Sequence, residues 1–150
     1  MSANRQAAFS LIELMITIAI VGIVSAAAIP VYRDYINTAN MSKVNSAYDN
    51  AVRFARQEWS KSTTRAFMGL PPTVPQSNKG WVEAIDTDVE APGGGPIYVP
   101  YGAPNVDEVG AVMFEAHPSK GFVYIYRPAY LDLQKLRAKV TADDVEVTEL

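Results

Sequence analysis

The strongest constraint on this chain is the run from Phe9 to Ile29, "FSLIELMITIAIVGIVSAAAI", in which Glu13 is the one charged residue. As an α-helix this run reaches about 30 Å, the thickness of a bilayer's hydrocarbon core. A charged side chain at the bilayer centre costs roughly 2.5–3.5 kcal/mol on insertion scales, so a carboxylate kept in such a segment has a use. A secretory signal peptide is the competing reading, with Arg5 as its basic region and Ala26-Ala27-Ala28 as its cleavage site. Three features oppose it. The run is longer than an apolar signal region of roughly 7–15 residues. Glu13 would lie inside that region. Pro30 falls just past the cut, where the pattern changes rather than stops.

Beyond Pro30 the apolar residues form a stripe. Tyr32, Tyr35, Ile36 and Ala39 begin it, and Val44, Tyr48, Ala51, Ala55 and Trp59 continue it at steps of three and four. That is helical period. Arg33, Asp34, Lys43, Asn45, Asp49, Asn50, Arg53 and Arg56 fill the other face. The pattern predicts one helix from about Ser10 to the low sixties, apolar all round at first and amphipathic afterwards. Thr63, Thr64, Gly69, Pro71 and Pro72 are expected to break it. Pro30 costs an interior helix about 3 kcal/mol and Gly22 about 1 kcal/mol relative to Ala. Segment 22–30 is therefore the part of the helix easiest to unwind.

With these residues in place, "AFSLIELMITIAIVGIVSAAAIPVYRDY" resembles the N-terminus of type IV pilins and of type II secretion pseudopilins. The likeness covers about the first 50 residues. It implies a leader at 1–8, cut between Ala8 and Phe9 by prepilin peptidase, with N-methylation of Phe9. The family usually has Gly before the cut, where this chain has Ala8. It further implies a half-helix at 9–30 that sits in inner-membrane lipid and later in a fibre core, and a head at 31–150. Glu13 stands at the family's glutamate position and Pro30 at its kink proline. The assembled form would be a homopolymer through the N-terminal helices, built by inner-membrane assembly machinery and displayed outside the cell. The basic residues on either side of the span do not follow the positive-inside rule, so a cytoplasmic leader and an outward head rest on the resemblance. Physical chemistry supplies a role for Glu13. Cleavage would expose an amine on Phe9, and amine and carboxylate are both costly in a dry core. A stagger of about four residues, roughly 6 Å, brings one subunit's amine level with its neighbour's Glu13. The alternative is a glutamate satisfied within its own helix, by the amine of its own chain.

The remaining sequence predicts an α+β head, an antiparallel sheet of three to five strands packed on the amphipathic half-helix. "SNKGWVEAI" opens a short helix or strand, and "TDVEAPGGGPIYVPYGAPN" is a turn-rich loop with a short strand at 97–99. "VGAVMFEA" and "GFVYIYR" read as strands joined through "HPSK". "LQKLRAKVT" alternates Leu136, Ala138 and Val140 against Arg137, Lys139 and Thr141, a strand with one wet face. "ADD" turns the chain and "VEVT" forms a last strand.

Little in this head suggests catalysis or a cofactor. With no Cys there is no disulfide framework and no thiolate chemistry. His117, the single histidine, precedes Pro118 without a nucleophile beside it, which suits a turn. Asp86, Asp88 and Glu90 alternate like the start of a calcium loop but lack its later Gly and Glu. "PGGGP" is not followed by the Lys-Ser/Thr of a phosphate loop and reads as a surface turn. Tyr124, Tyr126 and Tyr130 read as sheet residues. Charge is unevenly spread. Residues 31–65 hold six cations against three anions, net +3, and residues 66–117 hold one cation against seven anions, net −6. This suits head-to-neighbour contact in a polymer, or two ordinary solvated faces. The acidic balance, −3 overall, opposes direct nucleic-acid binding. The expectation is a non-enzymatic filament subunit, a type IV pilin. The alternatives are a minor pilin or secretion pseudopilin, and a membrane-tethered binding domain that never polymerises. The absent C-terminal cysteine pair departs from many type IV pilins.

Overall fold

A computed structural model describes residues 9–71, 73–85 and 87–150. Its elements, in order, are α1 (Leu11–Phe67), α2 (Asn78–Ile85), β1 (Tyr98–Pro100), α3 (Val106–Val109), β2 (Val112–His117), a 3-10 turn (Pro118–Lys120), β3 (Phe122–Arg127), β4 (Leu136–Val140) and β5 (Val145–Glu149). The chain divides into two compact units, one up to Thr38 and one from Ala39 to Leu150.

The first unit is helix. Among the described residues, α1 is the helix long and apolar enough to cross a membrane. Its apolar side chains from Leu11 to Val31 are exposed along the isolated chain. The helix runs through Gly22 and Pro30 without a break.

The second unit is the expected α+β head. Along α1 the stripe Val44, Tyr48, Ala51 and Ala55 is buried, joined by Ala47 and Ser62. Thr63 and Thr64 do not stop the helix. Their hydroxyls donate to the carbonyls four residues back, on Trp59 (3.0 Å) and Ser60 (2.9 Å), which leaves the backbone ladder intact. The end comes at Gly69, whose φ of 73° lets Leu70 N–H reach Arg65 O (2.9 Å) and Gly69 N–H reach Ala66 O (3.0 Å), a Schellman cap.

The sheet order is β1-β2-β3-β4-β5. Strands β2 to β5 are antiparallel, as expected, but β1 pairs with β2 in parallel. A parallel neighbour needs a crossover rather than a hairpin. Here the segment carrying α3 supplies it, between Asn105 (φ 58°) and Gly110 (φ 77°). Strand alternation sorts the side chains. Phe114 pairs with Ile125 on the face that joins Ala47, Ala51 and Ala55 in the main core. Met113 pairs with Tyr126 on the other face, where Ala91, Val106 and Ala111 cover them. Trp81 on α2 closes the main core, stacked on Phe114 (6.1 Å) with Phe54 edge-on (6.2 Å). Tyr98 fixes β1 to α1 by donating its hydroxyl to Ala47 O at 3.0 Å.

Two finer expectations change, and a third, the exposed turn at 92–96, gains a close contact. His117 ends β2 rather than sitting in a loop, and its ring packs on Phe122 (4.8 Å). Tyr130 is buried but lies beyond β3, while Tyr124 and Tyr126 are strand residues. The "PGGGP" segment is not merely a surface turn. Gly93 N–H donates to Val109 O (2.9 Å), and a Cβ on Gly93 would stand 2.6 Å from Val109 Cα.

Candidate functional site

The site is the start of α1. Phe9 is exposed and precedes the first helical residue. Ser10 caps the helix, and its N–H and Oγ both donate to Glu13 Oε2 at 2.9 Å. Glu13 N–H in turn points at Ser10 Oγ, 3.3 Å away. This reciprocal pair is a capping box, with an anion on the helix's positive end. Its S-x-x-E signature is visible in "SLIE", yet the surrounding apolar run hides it from a reading tuned to membrane segments. Thr17 Oγ1 donates to Glu13 O at 2.7 Å, tying the next turn to the same residue.

Glu13 is therefore hydrogen-bonded within its own helix by Ser10, in a chain where Phe9 N is still a peptide amide and not a free amine. One oxygen, Oε2, takes both Ser10 bonds. That arrangement leaves Oε1 able to accept from another chain. Ala8 and the proposed cut lie outside the described residues. At Gly22 an added Cβ would meet nothing within 4 Å, so the gap in the side-chain row there is open to a neighbour. The walls around Pro30 are apolar, formed by Ile23, Val24, Ala27, Ala28, Val31 and Tyr32.

Elsewhere the chemistry is sparse. His117 Nε2 lies 3.2 Å from Glu115 Oε1 but makes no well-angled hydrogen bond. Glu115 instead accepts the Tyr126 hydroxyl through Oε2. Asp88 and Glu90 are exposed, Asp86 lies outside the described residues, and no cluster of three metal-ligating side chains occurs among the described residues. Asp143 and Asp144 form the β4–β5 turn around Thr141, whose Oγ1 accepts the Asp144 N–H at 3.0 Å.

A helix long and apolar enough to cross a membrane and an α+β head of helix and five-stranded sheet define a class by fold: a pilin-like architecture. Comparison with known proteins agrees. Residues 3–29 match the prokaryotic N-terminal methylation motif. A fimbrial protein of Moraxella nonliquefaciens is 52% identical over 46 residues, 31% of this chain and 30% of that protein. The type IV major alpha-pilin of Moraxella bovis is 52% identical over 42 residues, 28% of this chain and 26% of that protein. The type IV major pilin protein PilE1 of Neisseria gonorrhoeae is 39% identical over 74 residues, 45% of each chain. No solved structure matches. In each of these three relatives the match spans less than half of the protein's length. The likeness to type IV pilins is thus carried by the N-terminal segment of the chain.

Proposed function

We propose that this protein is a structural, non-enzymatic subunit of a type IV pilus. It is made as an inner-membrane precursor, cut by prepilin peptidase between Ala8 and Phe9, methylated on Phe9, and polymerised through α1 by the assembly machinery into a surface fibre. The observation that carries this reading is a single carboxylate, Glu13, in an otherwise apolar stretch of α1 whose large apolar side chains are exposed from Leu11 to Val31. Such a surface needs lipid or other helices around it. In lipid, Ser10 satisfies Oε2. In the fibre, the Phe9 amine of a neighbour meets Oε1, and two expensive charges are neutralised together. Gly22 and Pro30 make segment 22–30 the easiest to extend as subunits pack.

Glu13→Leu separates membrane insertion from assembly. It removes a charge from the span, so the chain should reach wild-type membrane levels. Assembly should fail, because the partner amine is left buried without its counter-charge. Glu13→Gln should be intermediate, keeping a hydrogen-bond acceptor without the charge. Immunoblots of membranes and counts of sheared fibres measure both quantities. Wild-type fibre numbers from Glu13→Leu would refute the pairing.

A further inference from the structure

Resting on the fibre reading above, we propose that the head carries two complementary charged surfaces, so that the acidic block around α3 of one subunit docks on the outer face of α1 in a second copy.

The receiving surface lies on the side of α1 turned away from its buried stripe. Arg53 and Arg56 are exposed there about one turn apart, and Lys43 is a further exposed cation on the flank of the helix that borders Thr87 and Val89 of the same chain. Asp49 is the one anion among residues 43–56, which leaves a net +2. None of the three cations forms an ion pair among the described residues. Arg53 donates only to neutral acceptors of its own helix, Asp49 O (3.3 Å) and Asn50 Oδ1 (3.2 Å). Lys61, by contrast, is engaged by Glu58.

The docking surface is built by two short segments held together. Ala91 N–H donates to Gly95 O (2.8 Å) and Gly93 N–H to Val109 O (2.9 Å), while Ala91 and Val106 share the smaller core. Asp88, Glu90 and Glu108 project from this block, exposed and without an ion pair among the described residues. Asp107 is occupied differently, since its Oδ1 accepts the Ala129 N–H at 3.0 Å. The region's one cation, Lys79, is paired with Glu83 at 3.3 Å. Lys43 of the same chain borders Thr87 and Val89, and its single charge leaves the three unpaired carboxylates of the block in excess.

Symmetry turns this into a statement about assembly. Pairing either surface with itself sets like charges together, which is strongly unfavourable. Pairing one with the other is heterologous, and a heterologous contact that does not close on itself grows an open helical filament. The charge pattern thereby favours polymer over two-fold dimer and sets the register between heads.

Charge reversal in the full chain tests this. Arg53→Glu/Arg56→Glu, or Asp88→Lys/Glu90→Lys, should each cut sheared-fibre yield about tenfold at unchanged membrane level. The fourfold variant carrying both reversals restores the complementarity with its sign inverted, and should recover fibres to within about twofold of wild type. The milder Arg53→Gln/Arg56→Gln keeps the measurement useful if a reversal fails to accumulate, and should lower fibre yield while raising its sensitivity to salt. Wild-type yield from the one-sided reversals, or a fourfold variant no better than they are, overturns the proposal. If Glu13→Leu still abolishes fibres in that case, the pilus reading stands and only this contact falls. A wild-type chain that forms no fibres sinks both.

Discussion

Gly93→Ala is a sharp test of how the acidic block is mounted. The added Cβ would lie 2.6 Å from Val109 Cα, 3.0 Å from Glu108 O and 3.2 Å from Val109 Cβ. Carbon pairs are comfortable at about 3.5–4.0 Å, so the overlap is about 1 Å and is mostly with backbone. Retreat of α3 is obstructed. The helix is followed by Gly110, itself so tightly packed that a Cβ there would stand 2.9 Å from Val44 Cγ2. Val106 and Ala111 anchor it in the smaller core. Overpacking of this kind costs about 1–3 kcal/mol. With a urea dependence of about 1–3 kcal/mol per molar, a loss of about 2 kcal/mol lowers the unfolding midpoint by about 1 M. The assay is urea unfolding of the full chain in detergent micelles, followed by tryptophan fluorescence, because Trp81 is almost fully buried. Gly94→Ala is the control. Its Cβ would meet nothing within 4 Å, so it isolates the strain of φ 95° from any clash. An unchanged midpoint for Gly93→Ala would refute the packing argument.

Two further outcomes follow from the same structure. Gly22→Ala should stabilise α1 by about 1 kcal/mol where it is helical, leaving membrane levels unchanged while lowering fibre yield; unchanged fibre yield would contradict a need to extend segment 22–30. Burial pushes the Tyr48 hydroxyl up to about 12, and raises those of Tyr98 and Tyr126, the last helped by Glu115. A folded-state value above the unfolded value of about 10 favours the protonated fold, so stability is full below pH 10 and falls as pH rises through 12. Urea midpoints measured from pH 8 to 12 check the sign, and a rise over that range would contradict it.

Legibility varied with how local the cause was. The amphipathic half of α1 was readable because burial at Val44, Tyr48, Ala51 and Ala55 repeats with the helix itself. Strand β4 was readable because Ala138 and Val140 alternate inward, while Arg137 and Lys139 lie over the Tyr124 and Phe122 rings (4.7 and 5.1 Å). The parallel pairing of β1 was not readable, since it depends on a four-residue helix too short to show a period. The close approach at Gly93 was equally hidden, because the atoms it nearly touches lie 15 or more residues further along the chain. At the candidate site, Glu13, Gly22 and Pro30 were marked by charge and helix propensity, whereas Phe9 was marked only by the resemblance to pilin N-termini. The Ser10 cap needed attention to a signature that an apolar segment obscures.

The central claim is that this chain is processed at Phe9 and polymerises. Mass spectrometry of the chain recovered from sheared surface fibres tests it most directly. The expected mature protein begins at N-methylated Phe9, with Met1 to Ala8 removed. A mature chain beginning at Ile29, or an intact chain retained in the membrane with no surface fibres, would contradict it.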